Sequence, residues 1–170
     1  DNMYYVKKAD SDIIYKINSD KISVFTDATL FSLTNPTIYA TDETDFSSFE
    51  IDYKGQTSNI SLEREEDEYK STENKTYYQY HPVLNGAQMD AQEYESFLSS
   101  IQNTALEQAT NLTAKGEPVL KITIKHFDTD RIDTISFYET DGNILVVTGD
   151  IVRGMIGTSS FETLIESMPI

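Results

Sequence analysis

Two histidines, His81 and His126, are the residues of this 170-residue chain best suited to acid–base or metal chemistry. Imidazole titrates near neutral pH and is a ready zinc ligand. His126 ends an alternating stretch beside Asp128 and Asp130, and His81 precedes Pro82. A metal-dependent or hydrolytic enzyme would draw on this pair and nearby acids. Their spacing speaks against it, because they lie 45 residues apart with no second histidine one helical turn from either. Asp128, Asp130 and Asp133 put carboxylates at positions a calcium loop would use. The bending glycine and closing glutamate of such a loop are missing, so a hairpin turn is the better account. There is no Gly-x-Ser-x-Gly elbow, and Gly149, Gly154 and Gly157 match neither a dinucleotide fingerprint nor a phosphate loop. The sequence therefore predicts no catalytic residue, no metal and no cofactor. What remains is the cluster Tyr77, Tyr78 and Tyr80, whose rigid amphipathic rings suit a glycan or a protein partner. The competing account packs alternate tyrosines into a sheet with their hydroxyls at the rim.

Charge narrows the partners. Thirteen Lys and Arg stand against 29 Asp and Glu, a net charge of −16. Such a field repels phosphate backbones, and no stretch gathers enough cations to reverse it, so nucleic acid and anionic lipid are disfavoured. The absence of cysteine removes disulfides, thiolate nucleophiles and thiolate metal sites. No apolar run approaches the ~20 residues that span a bilayer. The chain begins at Asp1 and enters a strand almost at once, which suggests an excised segment with a signal or anchor left out.

The elements that must position these residues follow from periodicity. Tyr4–Val6 and Ile13–Ile17 read as a hairpin, and a short helix is expected near 27–34 with Leu30, Phe31 and Leu33 on one face. Phe49, Ile51 and Tyr53 alternate with Glu50, Asp52 and Lys54, and Ile60 and Leu62 with Ser61 and Glu63, giving a second hairpin. Glu63 to Glu68 holds five acids and Arg64, read as a solvated strand end and turn. The tyrosine segment is expected to halt at Pro82. Asp90 and Glu93 form a capping box for a helix over about 90–108, with Tyr94, Phe97, Leu98, Ile101 and Ala105 as its apolar face. Leu120, Ile122 and Ile124 alternate again, Asp141-Gly142-Asn143 makes a tight turn, and Ile144–Val147 reads as a central strand. The glycines at 149, 154 and 157 loosen the chain before a helix over 159–168, capped by Ser159 and Glu162. The fold class is α+β, a mainly antiparallel twisted sheet built from hairpins with helices packed on it.

An internal echo accompanies this order. Asp10 and Asp141, Ile13 and Ile144, Leu30 and Phe161, and Leu33 and Leu164 fall at one offset of 131. The chain then reads as a single α+β domain over 1–170, with 1–35 the tail of a preceding repeat-like unit and 46–168 one nearly complete unit.

Tyr4-Tyr5-Val6-Lys7, Ile14-Tyr15-Lys16-Ile17, Phe49-Glu50-Ile51, Ile60-Ser61-Leu62-Glu63-Arg64 and the Asp90–Ile101 helix occur in an order that resembles domain-of-unknown-function family 4340. This is a family of bacterial extracytoplasmic proteins, and the similarity covers most of the chain. The chain lacks a Trp after Leu-Glu-Arg, where Tyr69 stands instead. The resemblance implies membrane anchoring in the full-length protein, a place beside ABC transporters of the gliding-motility type, and an accessory or binding role. It implies no catalytic residues. A purely structural spacer is the remaining alternative.

Overall fold

A computed structural model of the chain describes residues 3–7, 13–18, 37–39, 41 and 45–170. They belong to two compact units, 1–35 and 36–170. In the first, β1 (Met3–Lys7) pairs antiparallel with β2 (Ile14–Asn18), with Tyr4 opposite Ile17. This is the expected hairpin. The helix expected near 27–34 lies outside the described residues.

The second unit runs β3 (Phe46–Tyr53), β4 (Gln56–Glu66), β5 (Tyr78–Leu84), β6 (Ala87–Gln88), α1 (Ala91–Asn103), β7 (Leu120–His126), β8 (Ile132–Glu139), β9 (Asn143–Thr148), β10 (Ile151–Gly157) and α2 (Thr158–Glu166). Its strands form one antiparallel sheet in the order β10-β9-β8-β7-β3-β4-β5-β6. Each half is a four-strand meander followed by a helix, and the halves meet where β3 pairs with β7. The broad α+β class with a mainly antiparallel sheet is as expected.

Period two decides which side chains go inside. Phe49, Ile51, Ile60, Ile122, Ile124, Ile135, Phe137 and Val146 share one face and are buried. Glu50, Asp52, Asn59, Ser61, Lys121 and Lys125 face the other way and are exposed. Both helices cover the apolar face. Phe97 of α1 meets Phe49 edge-on at 5.1 Å between centroids, and Phe161 of α2 lies 5.6 Å from Phe137. In β9, Leu145 and Val147 are buried on the opposite side as well, where the 104–119 connection brings Leu112 and Thr113 beside Leu145.

Four local expectations are corrected. The glycine-rich stretch expected to loosen the chain is β10, a regular strand with a bulge between Val152 and Gly154. The tyrosine segment does not halt at Pro82, which sits within β5 opposite Leu62. The helix over 90–108 starts as expected, with the Asp90 side chain accepting from the N–H groups of Gln92 and Glu93, but it ends at Asn103. There the Thr104 hydroxyl bonds the Ser100 carbonyl, Ile38 N–H takes the Thr104 carbonyl, and Glu107 and Gln108 turn their N–H groups to Met155. Tertiary pairing outcompetes helical periodicity here, and Ala105 is exposed. The last helix spans 158–166, not 159–168, and Ser159 lies inside its first turn with Gly157 at the N-cap.

Gly157 carries no side chain to cap α2, and the connection supplies one. Glu107 accepts from the Gly157 N–H and the Ser160 hydroxyl, which together hold its carboxyl below the usual carboxylate range. A Cβ at Gly157 would come within 3.0 Å of Glu107 Oε2, so the missing side chain is what lets the carboxylate approach. An acid at a helix N-terminus is favourable both as hydrogen-bond acceptor and against the dipole. Glu107→Ala is expected to cost about 1 kcal/mol in urea unfolding at neutral pH. The folded pKa is depressed, so this contribution should be full above the ordinary glutamate value and fade as pH falls through the folded one.

Candidate functional site

The turn between β7 and β8 carries the polar chemistry of the sheet's apolar face. Ile60, Leu62 and Arg64 alternate on β4, so Arg64 points to the core side at the end of that row. Its guanidinium lies between two rings, 4.5 Å from the centroid of Tyr78 and 4.3 Å from that of Phe127. Its nitrogens reach Asp45 at 3.3 Å and Asp128 at 2.7 Å. A planar cation suits this place because it stacks and forks at once. The bond to Asp128 is the main reason its pKa is raised. Asp45 also accepts from the Tyr80 hydroxyl at 2.7 Å. Burial first, and then that bond, push the Tyr80 phenol up to about 12.

A second network adjoins it. Asp133 Oδ2 accepts from the Tyr39 hydroxyl at 2.6 Å and from His126 Nε2 at 3.1 Å, and Arg131 Nε reaches Oδ1 at 3.0 Å. The His126 side chain is buried and its ring lies 5.3 Å from that of Phe46. Burial alone would raise the Asp133 pKa, but the bonds from Arg131, Tyr39 and His126 overcome it and hold the carboxyl below its usual range. Burial, and then the same carboxylate, push the Tyr39 phenol well above its ordinary value.

The structure divides the residues singled out by sequence. Tyr80 packs inward with its hydroxyl on Asp45. Tyr78 stacks on Arg64 yet keeps 37% of its surface, and Tyr77 keeps 39%. Tyr69 is wholly exposed. His81 and His126 are kept apart: His81 faces the exposed side of β5 near Glu65, His126 the apolar side of β7, with β3 and β4 between. Three strand spacings put them on the order of 14 Å apart and on opposite faces. The three aspartates of the suspected calcium loop also part: Asp128 holds Arg64, Asp133 holds His126, and Asp130 stands exposed. Among the described residues, no group of three His, Asp or Glu is placed to hold a metal ion. In the acidic run, Asp67 departs from the solvated reading. It is buried, accepts from the N–H groups of Tyr69 and Lys70, and has its pKa lowered chiefly by a bond from Gln79.

Arg64 is the residue that a pass for acidic runs misses. Its signal was the parity it shares with Ile60 and Leu62. At the opposite end of the sheet, a cleft of about 470 Å³ opens between α2 and the β3–β4 turn, with Tyr53, Phe161 and Ile165 beside Glu139, Glu162 and Lys54. No protein-family model matches the chain, and no curated protein or solved structure matches it.

The Asp133 network yields a pH dependence of known sign. A folded pKa below the unfolded one stabilises above the ordinary aspartate value, and the gain is lost as pH falls through the folded value. Asp133→Asn is expected to lower the urea midpoint at neutral pH and to flatten its fall between about pH 4 and the acid limit. Urea titrations of both proteins across that range check this.

Proposed function

We propose that the chain is a non-enzymatic binding module on the extracytoplasmic face of a bacterial cell membrane, anchored in the full-length protein. Its partner is a protein or envelope component beside an ABC-type transporter. The observation that carries the binding role is the exposed tyrosine surface of Tyr69, in the turn after β4, Tyr77, just before β5, and Tyr78 at the start of β5. Large rings left in solvent beside a strand edge are what recognition surfaces use, and a fold seldom leaves them there for its own stability. The location and the transporter come from the resemblance carried by Tyr4-Tyr5-Val6-Lys7, Ile60 to Arg64 and the Asp90 helix.

The repeat-like organisation belongs to the same reading, with 1–35 the tail of one unit and 46–168 most of the next. One register supports it. Tyr4 pairs with Ile17, and adding the offset of 131 to both gives Ile135 and Thr148, which also pair. Asp10, Leu30 and Leu33 of the echo lie outside the described residues.

The test is association of the membrane-anchored full-length protein with the transport subunits encoded beside it, followed by size exclusion. The wild type is expected to co-elute with them. A Tyr69→Ser, Tyr77→Ser variant should lose most of that association, and Tyr69→Ser alone, at the wholly exposed ring, should weaken it while stability stays within about 0.5 kcal/mol. A wild type that never associates, under several salt and detergent conditions, removes the proposal.

A further inference from the structure

We propose that the free edge of β5 takes an extended, lysine- and arginine-bearing segment of a protein partner, added antiparallel as a further strand along Tyr78–Tyr80. This rests on the reading of the chain as a binding module and names the mode and the chemistry of its partner.

The directions of the backbone groups follow from two hydrogen bonds. Asn85 N–H donates to the Asn59 carbonyl of β4, whereas the Pro82 carbonyl accepts from Met89 N–H on the far side. Along an antiparallel strand both backbone groups of a residue face one way, and the direction alternates. Odd-numbered residues of β5 therefore face β4, and Tyr78, Tyr80, Pro82 and Leu84 face outward. Leu84 is opposite Ala87 of β6, and Pro82 has Met89. Among the described residues, nothing pairs with the outward N–H and C=O groups of Tyr78 and Tyr80.

The lane beside them is vacant because β6 is two residues long. The chain leaves the sheet at Met89, buries that side chain and enters α1. A cleft of about 510 Å³ lies there, lined by Tyr80, His81, Pro82, Gln88 and Met89. Pro82 marks the lane's end. Its ring nitrogen has no hydrogen to offer, and because that nitrogen faces outward the β4 ladder loses nothing. The incoming strand is thus limited to the Tyr78–Tyr80 stretch and its flanks.

Charge selects the occupant. Glu65 and Glu66 stand opposite Gln79 and Tyr78, and Glu63 opposite His81; all three acids are exposed. Glu68 and the fully exposed Tyr69 follow at a small cleft shared with Glu65 and Glu66. A strand laid along β5 would carry its side chains within reach of these acids. A second copy of this chain would bring the same acids together, against a net charge of −16 on each. Lysine and arginine at alternate positions, on the face that Glu63 and Glu65 share, satisfy these acids.

The probe is a fluorescein-labelled peptide with alternating lysines and threonine or valine, read by anisotropy against the chain. Three comparators accompany it: the same peptide N-methylated at alternate amides, a glutamate-for-lysine version, and the Tyr78→Pro protein, which lacks one outward N–H. The basic peptide is expected to saturate, with at least tenfold weaker binding after N-methylation or in Tyr78→Pro, and to weaken with salt as exposed charge pairs do. Should Tyr78→Pro fail to fold, the N-methylated peptide on the wild-type protein still decides. Equal binding of methylated and unmethylated peptide overturns strand addition, as does no binding, or self-association of the chain in place of peptide capture. Retained association with the transport subunits in the folded Tyr78→Pro protein would sink this inference alone and leave the binding-module reading standing.

Discussion

One non-local pairing makes the eight strands a single sheet. β3 and β7 stand about 70 residues apart in the chain, and every other strand neighbour is next in sequence. Across that seam Phe49 faces Ile124, Ile51 faces Ile122 and Tyr53 faces Leu120, all pointing to the apolar side. Without it each half is a four-strand meander with one helix, too small to bury both sheet and helix well. The seam places Phe97 and Phe161 over one continuous apolar floor. It also brings Asp45, just before β3, to the β7–β8 turn where Arg64 meets Asp128.

The two polar networks at that turn close the end of the floor that the helices leave open. An arginine stacked between Tyr78 and Phe127 covers apolar surface with its plane and presents charge only at its rim. Beside it, Asp133 gathers a tyrosine, a histidine and an arginine. Of the residues that seemed richest in chemistry by type, His126, Asp128 and Asp133 are engaged by the fold, while His81 and Asp130 stay exposed.

Much of this was legible in sequence, for a physical reason that also explains the failures. Strands with one wet face announce themselves by alternation, and Phe49 to Tyr53 and Leu120 to Ile124 did so. β10 did not, because Gly154 sits at a bulge and interrupts the pattern that Val152 and Ile156 would carry. The α1 face ran on in sequence to Ala105, but Thr104 is held by partners from Ser100 and Ile38, the latter more than 60 residues away. Pro82 was read as a stop because its lost donor matters inside a sheet; on the outward side of β5 it costs the β4 ladder nothing. Arg64 was counted among the acids around it, although its parity with Leu62 pointed it to the core. Which carboxylate meets which donor depends on the seam, and no local pattern encodes the seam.

The carboxylate that Glu107 lends to the start of α2 ties two distant stretches into one cooperative event. Should the 104–119 connection lift away, α2 would lose its cap and β10 its pairing through Gln108 and Met155 in the same step. The amide hydrogens of Met155 and Gly157 should therefore exchange with solvent together, at a single opening free energy, while those of β3 and β7 wait for global unfolding. One glutamate outside the helix thus couples the start of α2 to the outer edge of β10.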